Sequence, residues 1–225
     1  MRLRYLNLKL SESWLIKSLL PLFLMLAVAM SWSTQASVSI PAGASLSLGD
    51  GAVHLGCRDL SVNGLVNGDR GSLNLRHLTI GASGSLYAKS SRVEVSGNWT
   101  GSGRFISGNG LVVLKDGCGV NTATVSAQNT FYSLYITSSA GKIFKFSSGK
   151  TQTISNQLTV SGEVDRYLIL SSSANTPAIF IIDGGQDIRY ADTAGIEIQE
   201  GQAEDGMHHG LPVWLLWYAS ENKQS

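Results

Sequence analysis

Charge is scarce in this 225-residue chain: Asp, Glu, Lys and Arg together make up 15% of it. Of the 17 basic and 16 acidic residues, the first 36 positions hold four and one, so the remainder carries 13 and 15 and a formal net charge of −2. The densest basic cluster in that remainder is Lys142, Lys145 and Lys150, three charges over nine residues. That is too thin for phosphate backbones, and no nucleic-acid partner is expected. Proline is down to four residues, and no long amphipathic helical period appears after residue 36, which argues against a helical body. GxSxG, the phosphate-binding loop and HExxH are all missing, so nothing supports the hydrolase, nucleotide or zincin chemistry those motifs carry, and no cofactor is implied.

The first 36 residues read as an export signal. Arg2, Arg4, Lys9 and Lys17 form a basic leader, Ser18 to Met30 is an apolar run, and Thr34 and Ala36 occupy the minus-three and minus-one places of a small-residue cut site. The run is shorter than the roughly twenty residues a membrane span needs. The alternative is an uncleaved anchor starting at Trp14, and both place the remainder outside the cytoplasmic membrane.

What the chain has in abundance is repetition. Residues 37 to 116 divide into four consecutive blocks of twenty whose apolar residues fall into columns: Val53, Leu73, Val93 and Val113; Leu55, Leu75 and Val95; Leu46, Val66, Leu86 and Ile106; Ile40, Leu60 and Ile80. Within a block the apolar positions alternate every second residue, which sends them to one face and His54, Asn74 and Glu94 to the other. Gly, Asn and Asp punctuate the blocks where tight turns are needed. A fixed period with alternation inside it predicts an all-β fold, a single-stranded parallel β-helix with coils of about 20 residues. Three short strands per coil are expected, near 38–40, 45–48 and 52–55 in the first. An antiparallel sandwich is the competing architecture, but it has no need of the same turn chemistry in every block.

After residue 116 the period loosens, with Lys115 where the column of Leu55 expects an apolar side chain. Strand-like runs resume at Phe131–Ile136, Ile143–Phe146, Ile154–Val160, Tyr167–Leu170 and Ala178–Ile182, and Ile188 to Ile198 suits one further coil. The expected organisation is a leader over 1–36, a solenoid over 37–200, and a polar loop with an apolar capping segment over 201–225. Trp214 and Trp217 in that segment are candidates for a binding edge or for self-association, since an open solenoid end invites pairing.

Three stretches carry a resemblance: SGNWTGSGRFISGNGLVVLKDG at 96–117, TFYSLYIT at 130–137 and TQTISNQLTVSG at 151–162. Together they resemble the repeats of large bacterial secreted and surface proteins of the adhesin or haemagglutinin-like class, over roughly residues 96–170. The resemblance implies a parallel β-helix and an extracellular or cell-envelope role.

Few residues suggest chemistry. Tyr87 stands in a column otherwise filled by Ser47, Asn67 and Ser107, so it faces outward and is available to stack on a sugar. Glu163, Asp165 and Asp187 are the carboxylates a polysaccharide-cleaving β-helix would use, and Asp165 and Asp187 are one loose coil apart. His208 and His209, beside Glu204 and Asp205, are the metal candidates. Cys57 and Cys118 are the only cysteines, and an exported chain favours a disulfide between them. Simple stacking places them three coils apart, about 14 Å, beyond the roughly 7 Å a disulfide tolerates. Either the chain doubles back, or the register is not simple, or the thiols are free. These features suit a secreted or cell-envelope β-solenoid module that contacts a glycan or an envelope protein, with a small polysaccharide-degrading enzyme as the alternative.

Overall fold

A computed structural model describes residues 37–201 of the chain. Strand and corner alternate throughout these residues, as the spacing of apolar and small polar residues dictates. The first coil holds β1 (Val38–Ile40), β2 (Ser45–Ser47) and β3 (Ala52–His54), and the second β4 (Leu60–Val62), β5 (Leu65–Asn67) and β6 (Ser72–Leu75). The third holds β7 (Leu78–Ile80), β8 (Ser85–Tyr87) and β9 (Arg92–Val95), and the fourth β10 (Trp99–Gly101), β11 (Arg104–Ile106) and β12 (Leu111–Leu114). Looser coils follow: β13 (Thr122–Val125) and β14 (Asn129–Thr137), β15 (Ile143–Phe146) and β16 (Thr151–Ser161), then β17 (Leu168–Ser172), β18 (Ala178–Ile182) and β19 (Gly185–Arg189), and finally β20 (Ala191–Ala194) and β21 (Ile196–Glu200).

Each strand pairs in parallel with its counterpart one coil away, giving three sheets. The first runs β1-β4-β7-β10-β13-β15-β17-β20, the second β2-β5-β8-β11, and the third β3-β6-β9-β12-β14-β16-β18-β21, with β19 also on β16. The protein is an all-β parallel β-solenoid. Alternation works as expected: Leu73, Val93 and Val112 are fully enclosed while His54 is exposed. The interior is one continuous apolar column. Trp99, Phe105 and Phe131 meet in it with ring centroids 4.8 to 5.8 Å apart, in edge-on and tilted arrangements that suit their quadrupoles.

The register departs from a uniform period of twenty in three ways. In the first sheet Val38, Leu60, Leu78 and Trp99 stack, and beside them Ile40, Val62, Ile80 and Gly101, so Leu60 is not in the column of Ile40. In the second sheet Leu46, Val66 and Leu86 continue to Phe105, not Ile106. In the third, Val53, Leu73 and Val93 continue to Val112, not Val113. Corner length is the cause. Corners from first to second sheet are residues 41–44, 63–64, 81–84 and 102–103, alternately four and two long. The two-residue corner of the second coil tucks under its neighbour: a Cβ at Gly64 would overlap the carbonyl oxygens of Ala44 and Pro41, so only glycine fits there. The short fourth corner shifts the columns by one and puts Leu114, not Lys115, above Val95. The apparent break at Lys115 is therefore a register slip.

The cross-section changes at the fifth coil. The second sheet ends with β11, and the nine residues of β14 and eleven of β16 run as single long strands where two strands and a corner stood before. A bulge at Phe131–Ser133 marks the join. The Ala178–Ile182 run is alternately buried and half-buried, with Phe180 inside and Ile179 and Ile181 on the outer face.

Candidate functional site

The outer face of the second sheet is the largest concave surface among the pockets described. Alternation turns Ser45, Leu65, Asn67, Ser85 and Tyr87 outward, and the corners from the first sheet add Asn63 and Ser83. These line an open groove of about 670 Å³. Tyr87 pairs across with Asn67 on one side and with Ile106 on the other, so Ile106 takes the place expected for Ser107 in that column. At one end Lys89 Nζ donates to Asp69 Oδ1 at 2.5 Å, and Ser47 Oγ donates to Asp69 Oδ2 at 2.7 Å. The Lys89 ammonium, with help from the Ser47 hydroxyl, holds the Asp69 carboxyl below its usual range. At the other end Ser83 Oγ donates to the Asn63 carbonyl oxygen at 2.9 Å. The result is an apolar centre of Leu65 and Tyr87 with a rim of amides, hydroxyls and one ion pair. Such a surface can stack on a ring and hydrogen-bond its substituents. Asn63, Asn67 and Lys89 were missed in the sequence, although their spacing from Tyr87 is the signal: Asn67 stands twenty residues before it, one coil away.

A second concavity of about 290 Å³ opens above β11, where the second sheet stops. Trp99, Phe105, Thr100 and Gln128 line it. Its wall is held by two buried amides: Asn129 Nδ2 donates to Gln152 Oε1 at 2.9 Å, and Gln152 Nε2 donates to the Ala127 carbonyl oxygen at 2.9 Å. Those groups are committed to each other and to the backbone, and they support the wall.

The corner from third to first sheet carries most of the remaining electrostatics. Cys57 and Cys118 are joined there by a disulfide, with Cα atoms 5.3 Å apart. Their corners, residues 55–59 and 115–121, are long, and the two between them, 76–77 and 96–98, are short. Register is thus not simple at this corner, and the 14 Å expected from stacking does not apply. Beneath, Arg76 grips Asp59 through Nε at 2.8 Å and Nη2 at 3.0 Å, which lowers the Asp59 pKa. His77 Nδ1 accepts the Asn98 N–H at 2.7 Å, so His77 is a half-buried brace and not a surface residue. Lys142 is buried, and its Nζ donates to the carbonyl oxygens of Ser96 at 2.6 Å and Lys115 at 3.0 Å. Burial pushes the Lys142 ammonium down to about 8, against the opposing pull of Asp116. On the third sheet Glu94 bonds Asn74, Arg92 and Lys115 together.

The other carboxylate candidates lie on β19 and in the corner before β17. Asp187 sits on β19 opposite Thr159 and bonds Arg189 at 2.9 Å. Asp165 lies in a turn closed by a Glu163–Arg166 bridge, off the strand ladder. Asp187 thus stands across from Thr159, while Asp165 lies in the corner between β16 and β17. Among the described residues, no three His, Cys, Asp or Glu side chains form a group able to hold a metal. His208, His209, Trp214, Trp217, the capping segment and the leader lie outside the described residues.

Comparison of the chain with protein-family models, with curated proteins and with solved structures finds no match. The architecture is consistent with the general class of β-helical surface and secreted proteins, and it is a scaffold suited to a structural or binding role.

Proposed function

We propose that this chain is a secreted or cell-envelope β-solenoid module, adhesin-like, whose second sheet binds a glycan. The observation that carries this reading is the groove around Tyr87: a ring and Leu65 at the centre, amides and hydroxyls at the rim, on a rigid parallel sheet. Sugars present C–H faces and hydroxyl edges, and a preformed sheet loses little entropy when it binds them. Under this reading residues 1–36 direct export, residues 37–200 present the groove, and residues 201–225 cap the solenoid or pair it with a second copy.

The test is a glycan array with the purified exported protein, beside Tyr87→Ala and a measurement of molecular size. Binding of a defined glycan set that weakens at least tenfold in Tyr87→Ala supports the reading. Absence of binding to every glycan, from a folded protein, overturns it.

A further inference from the structure

Where the chain turns from the third sheet to the first, successive corners are tied to one another by side chains that accept main-chain protons. His77 in the corner 76–77 accepts the Asn98 N–H at Nδ1, 2.7 Å away. Asn98 in the corner 96–98 in turn accepts the Thr124 N–H at Oδ1, at 2.9 Å. Main-chain bonds run the other way, from Leu60 N to His77 O and from Leu78 N to Asn98 O, both at 2.8 Å. The half-buried imidazole lies hard against the upper corner, since a Cβ at Gly97 would come within 2.4 Å of His77 Nδ1. Asn98 leads directly into Trp99, whose buried ring meets Phe105 and Phe131 in the core.

Of the acceptors in this series, His77 alone changes its role in mild acid. An imidazole accepts at Nδ1 only while it is neutral, with its proton on Nε2, and the imidazolium is a donor at both nitrogens. Protonation therefore sets an N–H at Nδ1 against the Asn98 N–H. Three charged groups face the ring: Asp59 from the corner below, Arg76 beside it in its own corner, and Lys142 from above, whose Nζ holds the Ser96 carbonyl oxygen of the corner 96–98. Asp59 favours the cation, but it is gripped by Arg76 through Nε and Nη2. Asp116 pulls on Lys142 from its far side. Burial, helped by Arg76 and Lys142 and opposed by Asp59, holds the His77 pKa below its usual 6.5. The closed corner thus binds fewer protons than an opened one as the pH falls from 6.5, and acid favours opening.

We propose that His77 is an acid-sensitive latch: when it is protonated it releases the Asn98 N–H and the corner 96–98 opens, while the disulfide between Cys57 and Cys118 keeps the coils stacked. The disulfide joins the corners on either side, 55–59 and 115–121, so the opening is confined to the turn between them. Thr124 is the next group to be freed, because its N–H is held by the Asn98 side chain. At neutral pH the corner is closed and the entry to Trp99 is fixed. In a mildly acidic surrounding the same corner exchanges between closed and open forms without loss of the strand ladders. His54, the other histidine among the described residues, is exposed on β3 and serves as an internal control.

The experiment follows amide hydrogen exchange and the imidazole nitrogen resonances of the full exported chain, disulfide intact, by nuclear magnetic resonance across the range in which histidine titrates, about pH 8 down to about pH 5. Wild type is compared with His77→Gln, which gains no charge, and with His54→Gln. The expected result is a step in which protection of the Asn98 amide falls at least tenfold, with a midpoint that matches the His77 ring titration, and in which the Thr124 amide follows. Far-ultraviolet circular dichroism stays constant through the step. His54→Gln keeps the step and His77→Gln lacks it. Unchanged Asn98 protection through the His77 titration overturns the latch, as does the same step in His77→Gln. Simultaneous loss of protection at every core amide also overturns it, because the opening is then global. If His77→Gln does not fold, the wild type decides alone: coincident midpoints for the His77 ring and the Asn98 amide support the latch, and separate midpoints overturn it.

Discussion

The Cα atoms of Cys57 and Cys118 lie 5.3 Å apart, although the strands before them, β3 and β12, are three rungs apart in the third sheet. Two long corners close the distance, reaching over the short corners at 76–77 and 96–98. The bond encloses coils two to four in a loop of sequence separation 61.

Opening that bond removes a large constraint on the unfolded chain. Cys57→Ser with Cys118→Ser, or reduction of the wild type, is expected to lower stability by about 4 kcal/mol. Denaturant midpoints with and without reductant check it. The strand ladders are independent of the bond, so far-ultraviolet circular dichroism of the folded variant is expected to stay that of a β-protein.

Glu94 sets the acid limit of the third sheet. Burial pushes its carboxyl up, but Lys115, Arg92 and Asn74 outweigh that and hold it at about 2, below the usual 4.5. Its folded pKa is depressed, so its contribution is complete above about pH 4.5 and is lost as the pH falls toward 2. Glu94→Gln is expected to cost about 2 kcal/mol at neutral pH and to flatten the loss of stability across that window. Unfolding curves from pH 2 to 6 for both proteins decide it.

Lys142 acts at the other end of the scale. Its buried ammonium loses its proton at about 8 in the native state but keeps it to about 10.5 in the unfolded chain. Between those values the unfolded state binds more protons, so stability rises with pH there. Lys142→Met lacks this rise. The difference in unfolding free energy between wild type and variant, measured from pH 7 to 10.5, is expected to shift toward the wild type as the pH increases. A constant difference contradicts the assignment.

The third corner between first and second sheets depends on close backbone approach. A Cβ at Gly84 would land on the Val62 carbonyl oxygen, which belongs to the preceding coil's main chain and cannot move aside. Gly84→Ala is expected to cost about 3 kcal/mol. Ser83→Ala next to it, which deletes only the bond to Asn63 O, is expected to cost about 1 kcal/mol or less. Thermal melts of the two variants separate packing from hydrogen bonding at this corner.

Much of the fold was legible because solenoid strands are local: the alternation in Ser72–Leu75 or Arg92–Val95 names the inward side chains without knowledge of any other coil. Tyr87 was legible as an outward ring for the same reason. The columns themselves were legible only on average, since a two-residue corner in one coil and a four-residue corner in the next leave the mean period near twenty while moving each stack. His77 carried no signal, because its ring reaches the Asn98 N–H only through the stacking of two corners.

By itself the sequence determined which side chains alternate inward, how many residues make a coil, and where polar turns interrupt the strands, all of which follow from backbone geometry within a few residues. Tertiary structure alone decided which residue stacks on which, that Leu114 and not Lys115 stands over Val95, that Cys57 meets Cys118, and that His77 meets Asn98. Those outcomes depend on the sum of corner lengths over successive coils, and a sum is not written in any single stretch of chain.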